Sequence, residues 1–273
     1  RGLHARPRRL PHAAQPHTGM SAAAKPTPSG AAASPHRAAC MICALQPFCF
    51  PSDLPARLAD LVPLVRSHRR RLARGELLFQ TGDVQQAVYA VKAGFLMSRV
   101  PMADGGTHVA AFAMVGDVLG LDAMGDGVHH SEAVALDACE VCEIPIAKFE
   151  RLLEHAKSAR AMKQMLGLEV RRATGHAAAL AGRDAHQRVA GFLVEIAKRW
   201  KSRGYSSTRF QLPMGRADIG RYLGLTAETV TRELSHLRAR SMISLSGKHL
   251  QIHDLPALRS LLRPGGLEAT QRR

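Results

Sequence analysis

From Arg74 to Ile146 short apolar runs alternate with glycines: ELLF, AVYAVKA, FLMSRV, HVAAFAMV and EVCEIPI fall between Gly75, Gly82, Gly94, Gly105, Gly106, Gly116 and Gly120. Short segments punctuated in this way predict strands that reverse often, as in an all-β sandwich or barrel. Many of the apolar positions are alanine, which weakens the strand reading and leaves a mixed domain as the alternative. Beyond Pro145 the period lengthens. Phe149, Leu152 and Leu153 come first, and Met162, Leu166, Val170, Ala173, Ala177 and Leu180 then recur at steps of three and four, which sets them on one stripe of a long helix.

A narrow stripe of small and branched residues can pair with its own copy as a coiled coil. Packing on the barrel is the alternative, but few other elements lie close enough in sequence to cover so long a face. A dimerisation helix over residues 148–182 is therefore expected, with Leu166, Val170, Ala173, Ala177 and Leu180 in the contact. GRDAHQ then supplies a cap and a hinge, and Val189, Phe192, Leu193, Ile196 and Trp200 form the inward set of a second amphipathic helix that opens a new small domain. RFQLPM, two helical segments around RADIGRYLGLTAETVTRELSHLRAR, and a hairpin in MISLSGKHLQIHD turning at Ser246, Gly247 and Lys248 follow. Helix, turn, helix and ribbon is the order of a winged helix-turn-helix, so the fold class is α+β.

The 273 residues give room for two folded units at roughly 100 to 200 residues each. The formal charge of +16 and a pI near 10.6 attract polyanions, which favours nucleic acid or an anionic membrane surface without choosing between them. No uninterrupted apolar run approaches the roughly 18 to 20 residues of a membrane span, so no membrane partner is expected. Five cysteines are too few for a disulfide scaffold and their odd number leaves a thiol over, which fits a reducing, cytoplasmic setting. Residues 1–39 carry Arg1, Arg6, Arg8, Arg9, Lys25 and Arg37 and no carboxylate, and are rich in Ala, Pro and Ser; they read as a disordered basic tail. They lack the continuous apolar middle of a secretory signal, although an Arg-rich, acid-free start also has the composition of a transit segment. Met20 stands before SAAAKP, and residues 1–19 read as upstream sequence with no assigned function.

The two helical segments near the C-terminus carry the first candidate chemistry. Ile219, Tyr222 and Leu223 form an apolar set, Gly224 supplies a turn, and Thr226 is a good N-cap for the next helix. With Val230, Leu234 and Leu237 facing inward, Glu228, Thr231 and Arg232 share the outward face of its first turns. Arg can donate twice to guanine O6 and N7, Glu can accept from cytosine N4, and the Thr methyl can meet a thymine methyl. An exposed Glu228–Arg232 pair on a surface helix is the bland alternative. Arg216, Arg221, His236, Arg238, Arg240, Lys248 and His249 surround the pair and could neutralise phosphates, which makes double-stranded DNA the stronger reading. Arg216, Thr226 and Lys248 are the expected backbone contacts.

The thiols are the second. Cys40, Cys43 and Cys49 are spaced C-x2-C-x5-C, and DACEVCEIP adds Cys139 and Cys142. Four thiolates complete a tetrahedral zinc site or an iron–sulfur cluster. Cys40 and Cys43 with Cys139 and Cys142 would make a zinc site and leave Cys49 spare; spacing leaves zinc and cluster open. A buried structural role for Cys139 or Cys142 is open as well, and residues three apart on a strand point to opposite faces.

RADIGRYLGLTAETVTREL, GDVLGLDAM, CEIP and the cysteine group together resemble the Crp/Fnr superfamily of bacterial transcription regulators, and specifically its oxygen-sensing FNR branch, over about Cys40 to Leu262. The resemblance implies a cyclic-nucleotide-binding-like β-roll, a double-stranded jelly roll, over residues 40–147 with the cysteines at its start. It also implies a dimerisation helix over 148–182, a winged helix-turn-helix over 183–262 and a tail over 263–273. It implies a 4Fe-4S cluster on Cys40, Cys43, Cys49 and Cys142, with Cys139 a non-ligand, and a homodimer whose Glu228, Thr231 and Arg232 read the TTGAT-type half-sites of a palindromic operator. In the family's mechanism an intact cluster favours the dimer, and oxygen, by degrading the cluster, weakens it. The expected output is control of anaerobic or microaerobic genes through contact with RNA polymerase, by residues the resemblance does not assign. Two departures stand out: Thr231 replaces the usual Ser, and Gly215 stands where Ser or Thr commonly caps the first helix.

Three rivals compete. The catabolite-activator branch binds a cyclic nucleotide through an Arg-Ser pair in the segment that here reads GVHHSEAVAL; His130 and Ser131 replace it, and a neutral imidazole is a poor substitute for a guanidinium. A thiol- or zinc-dependent enzyme could use His108, His129 and His130 with Asp117, Asp122 and Asp126, but no H-E-x-x-H, G-x-S-x-G or Walker-type motif accompanies them, and no catalysis is expected. A pure protein-binding role for the basic helices is the third.

Overall fold

The computed structural model describes residues 69–263 apart from Asp104 and His155. Cys40, Cys43 and Cys49, the expected basic tail and residues 264–273 lie outside the described residues. The glycine-punctuated region forms β1 (Arg69–Leu72), β2 (Leu77–Phe79), β3 (Ala87–Ala93), β4 (Phe95–Pro101), β5 (Thr107–Met114), β6 (Val118–Leu119), β7 (Glu132–Ala135) and β8 (Cys139–Pro145). They pair antiparallel as two sheets, in the orders β1-β8-β3-β6 and β2-β7-β4-β5.

The alanines that weakened the strand reading have a packing reason. Strand side chains alternate between faces, and here both faces of the second sheet are apolar. Ala113, Ala133, Ala135, Leu96 and Phe79 point into the space between the sheets, with Leu72, Leu119 and Val141 of the first sheet opposite. The alternate residues Phe95, Met97, Phe112, Met114, Val134 and Leu136 point outward into a second core. A third cluster, Val88 and Ile144 with Phe149 and Met162, lies on the outer face of the first sheet.

Helix α1 (Ile146–Leu153) and helix α2 (Ala156–Gly182) together occupy the span expected for one helix. Met162, placed on the pairing stripe by its spacing, is buried in that third cluster instead, so the open part of the stripe starts at Leu166. Only Arg183 and Asp184 join α2 to α3 (Ala185–Ser202), and Asp184 Oδ1 accepts the Gln187 amide at 2.8 Å. Then follow β9 (Arg209–Gln211), α4 (Arg216–Leu223), α5 (Ala227–Ala239), β10 (Ile243–Ser246), β11 (His249–Ile252) and α6 (Leu255–Ser260), with a three-stranded wing ordered β10-β11-β9.

The expected hinge does not set this region apart. Val189, Phe192, Leu193 and Ile196 of α3 join the outward residues of the second sheet in one apolar core. Phe112 meets Phe192 edge-on at 5.9 Å and Tyr222 at 5.2 Å, and Phe95 meets Trp200 at 5.7 Å. Without that cover the sheet would expose a broad apolar face to water. All the described residues fall in one compact unit.

Candidate nucleic-acid interface

Helices α4 and α5 meet through a tight turn that two glycines permit. A Cβ on Gly220 would lie 2.5 Å from the Leu225 carbonyl oxygen, and Gly224 has φ of +62°, which side chains disfavour. At the start of α4 the Gly215 amide donates to Asp218 Oδ2 at 3.1 Å, so a carboxylate one turn in partly makes good the missing cap side chain. Thr226 Oγ1 accepts the Thr229 amide at 3.2 Å and starts α5.

Val230, Leu234 and Leu237 of α5 are buried, while Glu228, Thr231 and Arg232 are exposed together on its N-terminal half. Hydrogen bonds from its own backbone N–H and then from the Thr226 hydroxyl hold the Glu228 carboxyl below the usual carboxylate range, so it presents an acceptor. Thr231 donates its hydroxyl to the Ala227 carbonyl at 2.8 Å, which leaves the oxygen's lone pairs and the methyl for contact. Arg221 and Arg238 are exposed beside this face, as is Lys248 in the wing turn; Arg216 is half-buried at the head of α4.

Glu233 is a residue that pattern reading missed. It sits among Val230, Leu234 and Leu237 and is only 6% exposed. Its Oε2 accepts from His186 Nδ1 at 3.1 Å and His236 Nδ1 at 3.3 Å, and its Oε1 from Arg232 Nε at 3.3 Å. Burial raises its pKa, but the bonds from His186, Arg232 and His236 outweigh that and leave it below the ordinary value. The signal was available: Glu233 lies three residues after Val230 and four before Leu237, a core position where a carboxylate needs partners.

Along α2, Leu166, Val170, Ala173 and Ala177 are exposed and Leu180 is half-buried. In the roll, Cys139 and Cys142 meet opposite surroundings. Cys139 lies between the sheets, where its thiol donates to the Phe95 carbonyl at 3.0 Å; burial, then the hydrogen bond and charge of Asp137, push its pKa up to about 12. Cys142 is half-exposed on the other face of β8, opposite Arg69 of β1 and Ala90 of β3. Among the described residues no group of three or more His, Cys, Asp or Glu side chains is placed to hold a metal ion.

The segment that would bind a cyclic phosphate is filled from within. The Asp122 carboxylate accepts the His130 and Ser131 amides, each at 3.0 Å, and the Ser131 hydroxyl at 2.8 Å. An incoming anion would meet a fixed negative charge there. Asp126 pairs with His130 at 2.8 Å, and His129 stacks on Phe79 with centroids 3.8 Å apart. These side chains, candidates for catalysis by composition, are thus bonded to one another and to the loop backbone, or stacked on Phe79 of β2. No helix among the described residues is long and apolar enough to cross a membrane.

Comparison with known proteins agrees with this geometry. Residues 69–156 match the cyclic nucleotide-binding domain family and residues 187–261 the Crp-like helix-turn-helix domain family. The chain is 34% identical over 230 residues to the transcriptional regulatory protein btr of Bordetella pertussis, covering 84% of this chain and 95% of that protein. It is 31% identical over 223 residues to the fumarate and nitrate reduction regulatory protein of Escherichia coli K12, covering 81% and 89%. The solved structure of FixK2 from Bradyrhizobium japonicum superposes with a TM-score of 0.67 at 30% identity, covering 72% of this chain and 98% of that one. The two family matches and these relatives, together with a roll, a long helix and a helix-turn-helix in that order, identify the chain as a member of the Crp/Fnr family of transcription regulators, which bind DNA as dimers.

Proposed function

We propose that this regulator responds to oxygen through a 4Fe-4S cluster held by Cys40, Cys43, Cys49 and Cys142, and controls anaerobic or microaerobic genes from a palindromic TTGAT-type site. The observation that carries the reading is the contrast between the two thiols of β8. A metal ligand must be a thiolate. Cys139 is enclosed between the sheets with its thiol bonded to the Phe95 carbonyl, whereas Cys142 is half-exposed on the outer face of β8, across from Arg69. A zinc site on Cys40, Cys43, Cys139 and Cys142 would need both strand cysteines on one ion and is disfavoured. When bound, the cluster supplies an oxygen-labile link between the segment bearing Cys40, Cys43 and Cys49 and the roll. The regulatory names of the relatives, fumarate and nitrate reduction among them, accord with this output.

On DNA, Arg232 reads guanine, Glu228 accepts from a cytosine amino group and Thr231 meets a thymine methyl. Arg216, Thr226 and Lys248 hold phosphates, and Leu166, Val170, Ala173, Ala177 and Leu180 join the two subunits. Contact with RNA polymerase belongs to the same proposal, by resemblance to the family. The cyclic-nucleotide reading is weakened by Asp122, whose carboxylate already takes the Ser131 hydroxyl and the His130 and Ser131 amides.

The test is anaerobic purification with iron and sulfide analysis, a visible spectrum before and after air, and operator binding on the same samples. Brown protein whose colour and operator affinity are both lost in air is expected. Cys49→Ser should lose the metal and Cys139→Ala should keep it. Colourless anaerobic protein, or metal lost from the Cys139 variant alone, would sink the reading.

A further inference from the structure

Asp117 lies in the turn between β5 and β6 with its side chain 8% exposed. Its Oδ1 accepts from Arg172 Nη1 at 3.3 Å and Arg203 Nη2 at 2.5 Å. Its Oδ2 accepts from the Met114 amide at 2.8 Å and from Arg199 Nη2. Arg172 belongs to the middle of α2 and is also paired with Glu169; Arg199 and Arg203 lie one turn apart at the end of α3. Arg203 reaches further, donating to the Val115 carbonyl. One carboxylate of the roll thus ties down both the dimerisation helix and the first helix of the DNA-binding region.

A second tie stands at the other end of these helices. Arg188 of α3 donates to the carbonyls of Leu180 at 2.6 Å, Arg183 at 2.9 Å and Leu223 at 3.1 Å, which joins the end of α2 to the end of α4. One attachment point would leave a pivot. Arg172 and Leu180 are eight residues apart on α2, or roughly 12 Å of helix, so two ties at that separation stop the reading head from rocking. The ties also differ in kind. Arg188 grips backbone carbonyls, whereas the three guanidiniums at the other end converge on one enclosed carboxylate. Removing that charge would leave like charges facing one another with little water between them.

We propose that Asp117 is a positioning residue for operator recognition: it fixes the DNA-binding region against α2 and so sets the half-site spacing that the dimer accepts. The proposal rests on the dimeric, palindrome-reading function above. Adding one base pair between half-sites moves the second by about 3.4 Å and turns it by roughly 35°. Rigidly held heads cannot follow that change, and loosened heads can.

The experiment compares wild type, Asp117→Asn and Arg172→Met, prepared without oxygen and checked for dimer mass. Each is titrated at fixed salt with a palindrome of native spacing, with palindromes one base pair longer or shorter, and with random duplex. Wild type should prefer the native spacing by about tenfold or more, the scale of one mismatched contact. In both variants the preference should fall to about two- to threefold with random-duplex binding unchanged. Arg172→Met keeps the pairs of Asp117 with Arg199 and Arg203, so it decides the matter if Asp117→Asn does not fold. A spacing preference equal to wild type in the folded variants overturns the proposal, even where all affinities drop together, because that is what a merely structural ion pair would do. Wild type indifferent to spacing would instead refute the palindrome reading itself, and the proposal with it.

Discussion

At the scale of single residues, environment separates what composition leaves equal. Cys139 and Cys142 share a strand and a motif, yet the Cys139 thiol is enclosed and titrates near 12. An acid with a raised pKa stabilises the fold below its unfolded value and loses that contribution as pH climbs to its folded one. The Cys139 contribution should thus be whole below its ordinary 9.0 and fade toward about 12. Thermal melts from pH 8 to 11 should show a steeper loss for wild type than for Cys139→Ala; equal slopes would show that the thiol ionises normally. The exposure of Glu228, Thr231 and Arg232 was legible because a helix with a known inward set leaves them outside. The inward position of Glu233 was legible in the same way, but its pairing was not, since its partner His186 is 47 positions away and periodicity carries no such pairing.

Among the described elements, α2 carries the clearest face with no cover from the other described residues. Val170 is 62% exposed, and its replacement should alter folding of the subunit by less than about 0.5 kcal/mol. Val170→Asp should nevertheless yield monomer by sedimentation where wild type is dimeric, with operator affinity down about a hundredfold or more as avidity is lost. A variant that stays dimeric would place the seam elsewhere. The stripe from Leu166 to Leu180 could be read from its spacing, because a helix has one period whatever covers it. That Met162 leaves the stripe could not, as the first sheet's outer face claims it together with Phe149. The strands were legible from their glycines, and the surplus of alanine was explained only once both faces of the second sheet proved apolar.

For the whole molecule, the shared core is what local pattern hid: a hinge-like sequence between α2 and α3 suggested separate units, while Phe95, Phe112, Phe192 and Trp200 bring them together. Calorimetry should therefore record one cooperative transition for roll and DNA-binding region. Phe112→Ala should lower that single transition by about 3 to 5 kcal/mol of stability, as for an aromatic removed from a core. Two resolved transitions in wild type would contradict the continuous packing. Asp122 has a consequence on the same scale. A tethered carboxylate is present at a level no metabolite pool can change, so the bonds that Asp122 accepts from His130 and Ser131 stay the same whatever anions the surrounding solution holds.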